Sequence, residues 1–64
     1  MRIDREKFAV ALLKRELTQK KFSEMTGLSR GTINGVKNGR SCSDRTGRII
    51  AKALEMDIEE LREQ

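Results

Sequence analysis

The chain has 64 residues, 36% hydrophobic and 38% charged, with a formal net charge of +4. So short a chain holds one small core at most, and it contains no run of about 18 apolar residues that could span a membrane. With no histidine and a single cysteine, Cys42, it has no intramolecular disulfide and no His/Cys metal spacing, and catalysis by histidine is excluded.

Asp4 is a good N-cap, and Glu6 follows it near the positive end of a first helix. Phe8, Ala11 and Leu12, extended by Leu13, form an apolar stripe spaced by three and four that faces the core. Arg5, Lys7, Lys14 and Arg15 lie off that stripe, and Leu17 packs at the junction. Thr18 caps a second helix with Gln19 in its first turn. Phe22 and Met25 are expected to point inward, and Lys20, Lys21 and Glu24 outward. Gly27 permits a left-handed residue at the helix end, and Leu28 anchors the turn. Ser29 caps a third helix whose buried side is Ile33 and Val36, and Asn38-Gly39 stops it.

Residues 39–43, GRSCS, form a polar loop. A fourth helix is expected from Ser43 or Asp44 to Glu55, with Ile49, Ile50, Ala53 and Leu54 apolar. Asp57 caps a last turn in which Ile58 and Leu61 are buried and Glu60 sits at capping-box spacing. The absence of proline and the presence of only two aromatics, Phe8 and Phe22, fit one compact all-α domain over residues 1–64 with a mostly aliphatic core. No apolar segment follows the N-terminal charges, so no signal peptide is expected. Cys42 reads as a semi-exposed loop residue, with a redox switch as the alternative.

Residues 17–39 are the most informative stretch. Two short helices, each apolar on one face, flank a glycine-centred turn, which is the layout of a helix-turn-helix that enters the DNA major groove. The charge distribution agrees. Residues 1–54 hold 13 Lys/Arg against five Asp/Glu, a balance of +8, whereas residues 55–64 hold five acidic residues against Arg62, a balance of −4. A basic body with a small acidic end suits a polyanionic partner.

The sequence resembles the lambda-repressor-like, Cro/CI-type helix-turn-helix regulators, often called the XRE family. The residues that carry the resemblance are Leu17-Thr18-Gln19, Phe22-Ser23, Gly27-Leu28-Ser29, Ile33-Asn34, Val36 and Asn38-Gly39, followed by Ile50-Ala51-Lys52-Ala53-Leu54 and Glu60-Leu61, all in the family spacing from about residue 8 to residue 61. The resemblance implies a five-helix DNA-binding domain whose second and third helices form the helix-turn-helix. Two departures stand out. Lys37 and Leu12 occupy positions where the family often has a Glu–Arg pair; losing one partner alone would cost roughly 3–5 kcal/mol, but both are absent together. Gly47 stands on the fourth helix where leucine is usual, which implies either a gap in the core or a close approach by a neighbouring element.

Projected at about 100° per residue, the third helix puts Gly31, Asn34 and Gly35 farthest from the core, with Arg30 and Lys37 on one flank and Thr32 on the other. By position in the resembled family, the base-contacting residues are Ser29, Arg30, Gly31, Asn34 and Gly35. Arg30 suits guanine O6 and N7, and Asn34 suits adenine N6 and N7; the alternative for each is a solvated surface residue. Phosphate contacts are expected from Gln19, Lys20, Thr32, Lys37, Asn38 and Arg40, with Lys21 and Arg45 adding charge. The expected partner is a pseudo-palindromic double-stranded operator, bound for transcriptional regulation, most simply repression. Any homodimer forms weakly or on DNA, around Ile58 and Leu61. No cofactor, metal, small-molecule ligand or membrane is expected, and the location is cytoplasmic, on the nucleoid. The rival to an operator reader is a protein-interaction module, antitoxin- or anti-repressor-like, that keeps the fold without reading sequence. The bare Gly31 and Gly35 favour that rival; the basic body opposes it.

Overall fold

The computed structural model describes residues 1–63 and contains five helices: α1 (Arg5–Lys14), α2 (Gln19–Thr26), α3 (Arg30–Lys37), α4 (Asp44–Ala53) and α5 (Ile58–Leu61). Each begins where a short polar side chain can replace the missing helical acceptor. Asp4 accepts from the Glu6 and Lys7 amides, Thr18 from Lys21, Ser29 from Thr32, and Ser43 from Thr46. Asp57 and Glu60 form the reciprocal capping box. Losing such a cap costs about 1 kcal/mol, so these five residues set the helix starts.

Three of the helix ends, those of α1, α3 and α4, follow one rule with two chemistries. After α3, Gly39 is left-handed (φ 83°), its amide donates to the Val36 carbonyl at 3.0 Å, and the Arg40 amide donates to the Gly35 carbonyl at 2.9 Å. This is the Schellman pattern. The same pattern closes α1 and α4, but there the left-handed residues are Glu16 (φ 54°) and Glu55 (φ 56°). A side chain in that conformation costs about 1–2 kcal/mol, part of which glycine returns as unfolded-state entropy. Glu55→Gly is therefore expected to stabilise the domain by about 0.5–1 kcal/mol, or roughly 2–8 °C in Tm. Thermal unfolding checks this, and an unchanged or lower Tm contradicts it.

The core joins all five helices through Phe8, Ala11, Leu12, Phe22, Ile33, Val36, Ile50, Ala51, Leu54 and Leu61. Phe8 and Phe22 meet edge to face with centroids 5.7 Å apart, a favoured aromatic geometry. Leu12 is buried where the resembled family often has arginine, and no charged side chain is buried among the described residues.

Two inward expectations are corrected. Leu13 is 78% exposed and Met25 is 52% exposed. On α2 the inner row is Gln19, Phe22, Ser23 and Thr26, all buried or half-buried. Ser23 Oγ donates to the Leu28 carbonyl at 2.5 Å and Thr26 Oγ1 to the Phe22 carbonyl at 2.8 Å. Two hydroxyls can occupy the inner face because backbone carbonyls satisfy them, and that row pushes Met25 outward. Ile49, Ala53 and Ile58 are half-buried rather than buried, whereas Ala51, on the opposite side of Ile50, is buried.

The N-terminal segment was not foreseen as structure. Ile3 is fully buried and pairs with Arg62 in an isolated antiparallel bridge. The Asp4 amide donates to the Leu61 carbonyl at 2.7 Å, and the Glu63 amide donates to the Arg2 carbonyl at 2.9 Å. At the other end of the segment, the Met1 ammonium donates to the Cys42 carbonyl at 2.7 Å and the Cys42 amide donates to the Met1 carbonyl at 2.7 Å. The first residues thus tie the α3–α4 loop to the end of α5.

This segment explains Gly47. A Cβ there would collide with the Met1 side chain, so the close approach is real and no gap remains to be filled. Leucine at this position would gain roughly 1 kcal/mol of helix propensity but overpack by about 1–3 kcal/mol. Gly47→Leu is expected to destabilise by up to about 2 kcal/mol in urea unfolding; a clear gain in stability would show that Met1 does not hold this place.

Candidate nucleic-acid interface

α2 and α3 pack together across a turn built by Gly27, Leu28 and Ser29. Gly27 is left-handed (φ 75°) and its amide closes α2 on the Ser23 carbonyl at 2.9 Å. Leu28 packs against the core, and its amide donates to Thr26 Oγ1 at 3.2 Å while its carbonyl receives Ser23 Oγ. The turn is thus held by an apolar anchor and two hydroxyls, and this fixes the entry of α3. Ile33 and Val36 then point into the core, leaving Arg30, Gly31, Asn34 and Lys37 exposed on the outer face.

The other expected contacts have distinct settings. Ser29 Oγ accepts the Thr32 amide at 3.1 Å and donates to Thr32 Oγ1 at 2.9 Å, so it is engaged as a cap, and Thr32 is half-buried. Gly35 is half-buried rather than outermost, because the stem of Arg40 covers it. Gln19 is half-buried and Lys20 exposed in the first turn of α2. Their amides precede the first intrahelical bond and have no helical acceptor, while Thr18 takes the amide of Lys21 at 3.0 Å. Asn38 and Arg40 are exposed just beyond α3.

One neighbour of this face was invisible in the sequence. A Cβ on Gly39 would lie 3.7 Å from Arg5 Cδ, so the start of α1 brings Arg5 against the end of α3. Arg5 lines one cleft with Asn38 and Gly39. Nothing local marks Arg5 as part of the interface, since its position depends on how α1 packs against α3.

Charge compensation is uneven. Among the described residues the two ion pairs join Arg2 to Glu63 at 4.0 Å and Arg62 to Glu59 at 3.4 Å, both involving the chain ends. Arg30, Lys37, Arg40, Lys20 and Lys21 carry no such pair. Cys42, below Arg40 in the loop, is half-buried; burial, aided by Asp44 and opposed by the Met1 ammonium, pushes its thiol up from the ordinary value. Its thiolate is therefore scarcer at neutral pH than that of a free cysteine.

A family model described as Helix-turn-helix matches residues 10–61. The chain belongs to the lambda-repressor-like, Cro/CI-type helix-turn-helix family. No curated protein and no solved structure gives a significant match. This is a family of DNA-binding transcription regulators and not of enzymes. In this helix-turn-helix domain, α2 and α3 are the pair that gives the family its description, and no helix among the described residues is long and apolar enough to cross a membrane.

Proposed function

We propose that this domain represses transcription by reading a pseudo-palindromic operator with α3 in the major groove. The observation that carries this reading is the outer face of α3, where Arg30 and Asn34 stand one turn apart and exposed, flanked by cations without carboxylate partners. Arg30 donates two hydrogen bonds to guanine O6 and N7, and Asn34 pairs with adenine N6 and N7. Gly31, bare and open, admits the helix backbone close to the base edges, and Ser29 holds the helix start in register while Gly35 keeps the second turn thin. Gln19 and Lys20 bind phosphate at the start of α2, with Thr32, Lys37 and Asn38 around α3; these contacts fix register and carry no base information, and Arg40 stands exposed beside them.

Pairing on DNA follows from the size of the face, which covers only a few base pairs; two copies bind half-sites about one helical turn apart. Leu61 is fully buried and therefore unavailable as a pairing residue, so pairing near α5 uses the half-buried Ile58 and its polar surroundings. That modest surface suits pairs formed on the operator rather than in free solution. The competing reading, a protein-binding module, draws on one observation, that Gly31 offers no side chain to a base.

Affinity for the selected operator measured against random duplex separates the two, since salt weakens specific and non-specific DNA binding alike. Lys20 and Lys37, with Lys21 and Arg45 adding charge, neutralise about four phosphates and give log affinity a slope of about −4 against log salt for each half-site. Equal affinity for operator and random duplex, with tight capture of a protein instead, would sink the operator reading.

A further inference from the structure

The two glycines on the outer half of α3 have different surroundings. A Cβ on Gly31 would meet only Ser29 Oγ, at 3.9 Å, whereas one on Gly35 would meet the stem of Arg40, with Cδ at 3.6 Å and Cβ at 3.9 Å. The arginine stem therefore lies where a side chain at position 35 would leave the helix. The backbone anchors it there, since the Arg40 amide donates to the Gly35 carbonyl at 2.9 Å directly after left-handed Gly39. Arg40 also lines one cleft with Gly31, Thr32 and Gly35 of α3. Its guanidinium has no hydrogen-bond or ion-pair partner among the described residues, although the side chain runs beside a polar loop.

We infer that Arg40 is a base-reading residue, laid across Gly35 so that its guanidinium enters the major groove in place of the side chain that position 35 lacks. This rests on the reading that α3 occupies the groove. A phosphate clamp works from the rim of the groove, whereas this stem lies against the helix that the proposed reading puts inside it. A base reader needs its stem held against the recognition helix, because a fixed stem loses less freedom on binding and aims the planar fork. Gly35 supplies the track and the Schellman turn supplies the starting point. The matching partner is a guanine edge, with O6 and N7 accepting two guanidinium hydrogen bonds. The half-site then contains two guanine positions, one for Arg30 and one for Arg40.

The test begins with the operator selected by the unaltered chain from random duplexes, followed by affinities of Arg40→Ala, Arg40→Lys and Gly35→Leu for every single-base variant of that operator. Arg40→Ala is expected to lower affinity about 5- to 150-fold for each half-site of the selected operator, the range of one bidentate pair, and to erase the preference at one position of each half-site. Arg40→Lys keeps the charge but not the fork, so it should weaken the same preference. Gly35→Leu removes the track, adds helix propensity and leaves the arginine in place; it should disturb that position too.

A uniform loss across all variants from Arg40→Ala, with Arg40→Lys equal to the original, would make Arg40 a phosphate contact and overturn this inference alone. If the unaltered chain selects no sequence, the operator reading falls and this inference falls with it.

Discussion

Ile3→Ala is expected to lower the stability of the domain by about 2–5 kcal/mol, the cost of truncating a fully buried large aliphatic side chain. A chain of this length is stable by only about 3–10 kcal/mol, so the loss takes a large share of the margin and should move the unfolding midpoint well down. The size of the effect comes from what Ile3 connects. Its side chain is sealed in the core, and the backbone on either side of it bonds to Leu61 at the end of α5 and to Glu63 just beyond. Releasing it also frees Met1 from Cys42, which loosens the loop that carries Arg40. Urea unfolding followed by circular dichroism measures the change. A loss under about 1 kcal/mol would mean that the N-terminal segment is a passive cover rather than part of the core.

Arg30→Ala should leave the fold intact and weaken specific DNA binding by about 1–3 kcal/mol for each half-site, relaxing one base position in each. Arg30 is exposed at the first position of α3 and makes no hydrogen bond or ion pair among the described residues, so its removal leaves no buried group unpaired. The loss should therefore appear in affinity and base preference and not in Tm. Equal affinity for the original and the variant would remove Arg30 from the reading mechanism. A drop shared evenly by all sequences would make it a phosphate contact.

How far the sequence led can be judged from particular residues. The N-caps Asp4, Thr18, Ser29, Ser43 and Asp57 were legible because capping is local: a short polar side chain bonds an amide two or three positions onward. Gly27 and Gly39 were legible for the same reason, since left-handed backbone favours glycine within a few residues of a helix end. Glu16 and Glu55 gave no such signal, because they occupy left-handed positions through the hydrogen-bond pattern of the helix end rather than through their own preference.

Met25 was misread because a spacing of three from Phe22 fits an inward row as well as a spacing of four does, and Thr26 holds the inner place with its hydroxyl bonded to the backbone. Ile3 lies outside any periodic pattern, and its burial depends on the far end of the chain. On the candidate interface, the outward exposure of Arg30, Gly31 and Asn34 followed from helical projection around Ile33 and Val36. The cover of Arg40 over Gly35, the approach of Arg5 to Gly39 and the packing of Met1 on Gly47 depend on tertiary contacts, and no spacing in the sequence encodes them.

Selection of bound duplexes from a random pool at about 0.15 M salt, followed by sequencing, decides whether α3 reads sequence. The expected result is an enriched inverted repeat with half-sites near one helical turn apart and guanine at the positions read by Arg30 and Arg40. Retention without enrichment, weak and abolished by modest salt, would contradict it, leaving a basic helix-turn-helix domain that does not read DNA sequence on its own.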